Sequence, residues 1–276
     1  MKKLVLFNLL FVALIGSTFT SCSKDETKNE DQVMEQTNAV IEHELDQSTN
    51  FSDEAYNTGT IASDLTSDEM EIRHNCAIVT LDTSNSMKTI TIDFGNSNCI
   101  GRDGRYRRGK IITTFEGRYR AINSTHTITF VDYFVNDNHL EGTRNVTNTG
   151  ADQNGKTTFT VTDEGKVTLT DGLIFTYISQ RIRTWTEGES TFNIWDDVYS
   201  ISGSGSVANS KGNGFTATIQ EPLTVALNCS NITKGIIRIM PLNNEFKERI
   251  INYGDGNCDD LASVTVNGVT KIIKLR

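Results

Sequence analysis

Lys88-Thr89-Ile90-Thr91-Ile92-Asp93-Phe94 alternates polar and apolar residues without a break. A period of two sends successive side chains to opposite faces of a pleated strand, so Ile90, Ile92 and Phe94 share one face. The same period recurs downstream in Ile128 and Phe130, in Phe159 and Val161, and in Val167 and Leu169, with threonine filling many outward positions. Only Pro222 and Pro241 occur in the chain, while Asn154-Gly155, Glu164-Gly165, Asn213-Gly214 and Asn267-Gly268 punctuate the runs as turn signals. Val266-Asn267-Gly268-Val269 reads as a two-residue hairpin, whose type I′ turn needs positive φ at both centres. Asp163-Glu164-Gly165 suits a three-residue hairpin loop that would set Val161 against Val167, Phe159 against Leu169 and Thr160 against Thr168. The strands follow one another without helical crossovers, which favours antiparallel pairing. The expected fold is all-β: an antiparallel meander of about ten strands, a curled sheet closed as a sandwich or an open barrel. It is preceded by a polar N-terminal tether with a possible short helix.

Residues 174–202 allow a register argument. An odd-length loop near Glu187-Gly188-Glu189 keeps residue parity matched across the strand pair. The even face then collects Ile174, Ile178, Ile182, Phe192, Ile194 and Val198, which reads as core. The odd face collects Phe175, Tyr177, Arg181, Arg183, Trp185, Trp195, Tyr199 and Ile201, and so holds both tryptophans of the chain. Aromatic rings and arginines in this pattern could stack on sugar rings or anchor a protein partner, making this the candidate binding face. The competing expectation is that the face packs against another layer, with its arginines reaching the edge.

The full chain carries a net charge of −9, unevenly spread. Residues 23–71 hold fourteen Asp and Glu against Lys24 and Lys28, leaving the remainder near neutral. An acidic segment beside a neutral domain argues against nucleic acid, since phosphate binding needs clustered Lys and Arg. Within the acidic stretch, Val33, Met34, Val40, Ile41 and Leu45 could line one face of a short helix from about Glu30 to Leu45, docking a partner or lying idle in a tether.

Met1-Lys2-Lys3 followed by the apolar run Leu4–Ile15 and the small or polar residues Gly16–Ser21 reads as an export signal. The run is shorter than the ~20 residues that cross a bilayer. Cys22 after Thr20-Ser21 resembles the lipidated first residue of a lipoprotein, and the box is similar to the looser one of Bacteroidota lipoproteins. Lys24-Asp25-Glu26 resembles the signal that sends such lipoproteins to the outer face of the outer membrane. The resemblance implies a lipid-anchored, surface-exposed outer-membrane protein of the uncharacterised Bacteroidota kind, and it carries no activity with it. The expected division is a signal peptide over 1–21, an acidic tether over 22–50 and an all-β domain over 51–276.

Cys76, Cys99, Cys229 and Cys258 remain, an even number that reads as two disulfides in an exported chain. Phe94 to Cys99 and Tyr253 to Cys258 share the pattern aromatic-Gly-x-x-Asn-Cys, each with a cysteine upstream. Hairpin return favours Cys76–Cys99 and Cys229–Cys258; the alternative staples the matching ends of the domain together.

No sequence motif for catalysis appears. His43, His74, His126 and His139 lack zinc-ligand spacing, and Asp255, Asn257 and Asp259 open like a calcium loop without its glycine or distal glutamate. Gly203-Ser204-Gly205-Ser206 lacks the strand-then-helix setting of a nucleophile elbow. No catalytic residue, metal or cofactor is expected. The expected function is a non-catalytic binding or envelope-interaction module with a glycan or protein partner, held to the outer membrane by its N-terminal lipid. The alternative is a surface hydrolase acting on glycans, whose paired carboxylates leave no local signature.

Overall fold

The structure, a computed structural model, describes residues 30–62, 72–74, 77–101, 103–191, 193–243 and 247–275. One helix, α1 (Glu30–Ala62), precedes the strands β1 (Ile72–His74), β2 (Ala77–Asp82), β3 (Met87–Asp93), β4 (Cys99–Ile100) and β5 (Tyr106–Glu116). The long central strands are β6 (Thr125–Val135), β7 (Asn138–Ala151), β8 (Thr157–Thr168), β9 (Ile174–Glu187), β10 (Val198–Asn209) and β11 (Gly214–Ala226). The last four are β12 (Lys234–Pro241), β13 (Arg249–Asp255), β14 (Leu261–Val266) and β15 (Val269–Lys274). Each strand pairs antiparallel with the next along the chain, except that β3 passes directly to β5 and the short β4 pairs beside it. The all-β antiparallel meander is therefore as expected, with fifteen strands among the described residues. Several escaped the sequence count because strands such as β7 are rich in Thr, Asn and Gly. Among the described residues no pairing joins β15 to β1, so the sheet is curled but not closed into a barrel.

The curl is written into backbone that only glycine tolerates. Gly109 sits at the register shift between Arg108 and Lys110 with φ of 87°, and an added Cβ there would lie 1.9 Å from the Asp132 carbonyl oxygen. Such a bulge bends its strand and sharpens the local twist. At the C-terminal end, Val266 pairs with Val269, and Asn267 and Gly268 have φ of 50° and 76°, the turn their dipeptide predicts.

Asp163-Glu164-Gly165 is not a turn. All three residues lie within β8, paired to β7 in unbroken register with Gly142 opposite Gly165. Gly165 serves a close approach instead: a Cβ there would meet the Glu141 carbonyl oxygen at 2.1 Å and the Tyr177 hydroxyl at 2.5 Å. The Tyr177 hydroxyl, seated over this glycine pair, donates to the Glu141 carbonyl at 3.2 Å. A glycine inside a strand often marks such a contact.

The acidic segment folds onto the sheet. It forms a helix of 33 residues, running well beyond Leu45 and across the expected boundary at residue 50. Thr37, Ile41, Glu44, Leu45, Ser48, Ser52 and Ala55 are buried, a stripe at helical spacing that seats α1 on the inner face of the sheet. Ile41, Leu45 and Ala55 join one hydrophobic core with Ile90, Ile92, Ile111, Ile128, Val161 and Phe215. The Ser52 hydroxyl lies 2.6 Å from that of Thr113 on β5. No described helix is long and apolar enough to cross a membrane.

Cys229 and Cys258 form a disulfide, with Cα atoms 5.7 Å apart, that ties the β11–β12 turn to the β13–β14 turn. Cys99 is disulfide-bonded. Cys22, Lys24, Asp25, Glu26 and Cys76 lie outside the described residues, and the Cys76–Cys99 expectation with them.

Candidate functional site

The face expected to bind a partner turns inward. Phe175, Tyr177, Arg181, Arg183, Trp185, Tyr199 and Ile201 are buried, whereas Ile174, Ile178 and Ile182, expected as core, stand on the outer face. Ile178 is 59 % exposed. Parity is matched as expected, since Tyr199 lies opposite Trp185 and Ile201 opposite Arg183. The assignment of faces fails because the counter-charges sit on a remote element. The competing expectation, that this face packs against another layer, is the one met: α1 is that layer and supplies the partners of the two arginines.

Those partners form a row. On β5, Arg107 donates from Nε and Nη2 to Glu44 at 3.1 and 2.8 Å, and from Nη1 and Nη2 to Asp103 at 2.9 and 2.7 Å. The Tyr133 hydroxyl donates to the same Glu44 carboxylate at 3.0 Å. On β7, Arg144 reaches Asp46 at 2.8 Å and Asp163 at 3.2 Å. On β9, Arg181 bonds Glu42, and Arg183 donates to the Asn50 carbonyl at 2.7 Å while lying 3.6 Å from the centre of the Tyr199 ring. Buried guanidinium and carboxylate groups demand such pairing, which is incomplete here: Arg144 Nε and Arg181 Nε and Nη1 are buried without a hydrogen-bond partner among the described residues. Burial, with Asp46 and Asp163 close by, pushes the Glu42 carboxyl up against the pull of Arg181.

Trp195 alone among the expected binding residues escapes burial. It lies on a short 3₁₀ turn (Ile194–Asp196) between β9 and β10, capped by the Asn193 side chain, and is 39 % exposed. There it lines a cavity of about 300 Å³ at one end of the curl. Gln47 and Phe51 from α1 line it too, as do Phe94, Cys99 and Ile100 from the first hairpins. Asp103 and Arg107 are beneath, and Leu227 to Ser230 of the β11–β12 turn close the far side. Five separate segments thus meet here, which no local pattern in the sequence could announce.

Asp103 and Arg107 belong to an ionic cluster that extends away from the cavity. His43 Nε2 lies 3.2 Å from Asp103 and 2.7 Å from Arg105 Nη1, which itself reaches Asp103 at 3.2 Å. Burial works to raise the Asp103 carboxyl, but hydrogen bonds and charge from Arg107 and His43 reverse it and hold Asp103 well below the usual carboxylate range. Burial would likewise weaken the Arg107 guanidinium, yet Glu44 and Asp103 raise it above its ordinary value. One ligand atom from each of His43, Glu44 and Asp103 comes within 4.8 Å of the others, close enough to hold a metal. The donor set does not fit one, because Arg105 and Arg107 already occupy these carboxylates and would repel a cation.

No family model, curated protein or solved structure matches the chain.

Next along the chain, buried Asp197 accepts from the Tyr199 hydroxyl at 3.3 Å, and burial pushes its carboxyl up to about 6. The folded state therefore holds this proton more tightly than the unfolded chain does. Stability from the site is fully present below the ordinary value of 3.8 and is lost as pH rises through about 6. Asp197→Asn keeps an acceptor for Tyr199 and removes the charge. It is expected to gain roughly 1–3 kcal/mol over the parent at pH 7.5 and nothing at pH 3.5. Thermal melts at the two pH values measure this, and an equal gain at both would refute it.

Proposed function

We propose that this protein is an exported, lipid-anchored envelope protein, displayed on the outer membrane, whose β-domain works by binding and not by catalysis. The anchor rests on the signal-like residues 1–21, on Cys22 and on Lys24-Asp25-Glu26. The Cys229–Cys258 disulfide is in keeping with an oxidising compartment. The observation that carries the binding role is the Trp195 cavity, a concave site with apolar walls and a few polar groups, of the size small ligands use.

Hydrolysis of glycans would need one ionised and one protonated carboxyl flanking the bond to be cut. The carboxylate that lines the cavity, Asp103, is held well below the usual carboxylate range by Arg107 and His43 and so supplies no proton donor. Binding is the better reading for that reason.

Two measurements test it. A clickable palmitate analogue should label the parent and leave the Cys22→Ala variant unmarked; equal labelling would remove the anchor. A chemically mixed small-molecule library, screened by ligand-observed NMR, should give hits that Trp195→Ala loses. Hits retained by that variant would move the site elsewhere.

A further inference from the structure

We infer that the edge strand β15 takes an extended segment of a partner protein as a further antiparallel strand, with an acidic residue facing Lys271 between apolar neighbours. This surface shares no residue with the Trp195 cavity and does not depend on it. Among the described residues β15 pairs with β14 alone. The phase of that pairing fixes which backbone groups are engaged. Val266 and Val269 close a two-residue turn, and the Leu275 amide donates to the Asp260 carbonyl at 2.8 Å. Antiparallel pairs alternate between hydrogen-bonded and non-bonded, so Val269, Lys271, Ile273 and Leu275 direct their N–H and C=O groups at β14. Thr270, Ile272 and Lys274 turn theirs outward, which is the ladder an added strand needs.

The side chains select the guest. Val269 is 61 % exposed and Ile272 is 68 % exposed, one on each face of the strand. Apolar residues set opposite them on a neighbouring strand would cover both. Lys271 lies between Val269 and Ile273 on the core side, opposite buried Val264. Asp260 pairs with Lys274 at 3.4 Å, whereas Lys271 has no ion-pair partner among the described residues. Strand β14 cannot supply one, because Leu261–Val266 carries no charge. A carboxylate opposite Lys271 on the added strand does, and opposite charges across a strand pair stabilise it. The same lysine turns away a second copy of this chain. In a two-fold pairing that keeps both core faces on one side, registers centred on Thr270, Lys271 or Ile272 all bring the two Lys271 side chains opposite or diagonal to each other. Like charges so placed repel.

The purified protein is titrated with a labelled, capped peptide, Thr-Val-Val-Glu-Thr-Val, and with its counterpart carrying lysine in place of glutamate, both followed by fluorescence anisotropy. The acidic peptide should bind and the basic one should not. Hydrogen exchange read by NMR should slow at the Thr270, Ile272 and Lys274 amides and stay unchanged at Lys271 and Ile273. Lys271→Glu, at an exposed position, should leave Tm unchanged, weaken the acidic peptide roughly fivefold or more and admit the basic one. Ile272→Pro removes one outward N–H and spares the β14 ladder, so it should weaken the acidic peptide by a similar factor. Equal binding of the two peptides would overturn the acidic partner. Binding of neither, or binding indifferent to Ile272→Pro, would overturn the strand site. A dimer in sedimentation that Ile272→Pro dissolves would overturn the partner protein in favour of a second copy. Every one of these results leaves the Trp195 cavity to its own test.

Discussion

Arg107→Ala is expected to lower the unfolding free energy by about 3–5 kcal/mol, because it strands buried charge. The Glu44 carboxylate is fully buried, and it draws three of its hydrogen bonds from Arg107 and Tyr133. Removing the guanidinium leaves that carboxylate one hydrogen bond, from the tyrosine, with the Arg105 guanidinium no closer than 3.9 Å, and frees Asp103 from its principal partner. For a domain of this size the loss corresponds to a fall in Tm on the order of 10 °C. A second variant separates lost charge from lost packing. Arg107→Leu combined with Glu44→Leu removes both ions, and a buried pair replaced by apolar residues is often neutral. The double variant should therefore recover most of the stability that Arg107→Ala loses. Urea denaturation followed by circular dichroism reads both. A single variant within about 1 kcal/mol of the parent would mean that α1 is not held by this charge.

Opening the Cys229–Cys258 disulfide should cost nearly as much. The bridge closes a loop with a sequence separation of 29 residues. Loop-closure entropy for that length gives about 3–4 kcal/mol of stabilisation, acting mainly on the unfolded chain. Cys229→Ala with Cys258→Ala should thus unfold at lower urea than the parent, and the gap should close when both proteins are reduced, which opens the Cys99 bridge in each alike. A parent indifferent to reductant would contradict the bridge. Because Cys229 also lines the cavity, the same variant should weaken ligand binding at temperatures where it is still folded.

What the sequence disclosed divides along physical lines. Alternation in Lys88–Phe94 and the Asn267-Gly268 turn are local rules, and the strands and the last hairpin follow from them directly. The Cys229–Cys258 pairing was legible because β12 and β13 between them form one hairpin, whose return brings the second cysteine back to the first. Gly165 misled because the same residue serves a turn and a close approach, and only the Tyr177 ring, two strands away from Gly142, distinguishes them. The inner face misled for a related reason. Its arginines look solvent-bound until Glu42, Glu44, Asp46 and Asn50 are set against them, and those lie on a helix whose buried stripe is largely polar. Apolar periodicity registers Ile41 and Leu45 but is blind to Thr37, Ser48 and Ser52. Of the residues that line the cavity, Trp195 alone is expected from sequence to bind, and for membership of a strand it does not join; Phe94, Cys99 and Cys229 stand out only as strand and disulfide residues.

The way α1 is held also dictates an order of events in folding. Every strand pairs with a neighbour close in sequence, so the sheet can grow one hairpin at a time. The helix has no such neighbour: Glu42 and Arg181 are 139 residues apart, Asn50 and Arg183 are 133 apart, and Glu44 and Arg107 are 63 apart. In a chain made from its N-terminus, this helix is made well before the strands that seat it. Until β9 arrives it must wait in water, and its dense negative charge is what lets it wait without clumping.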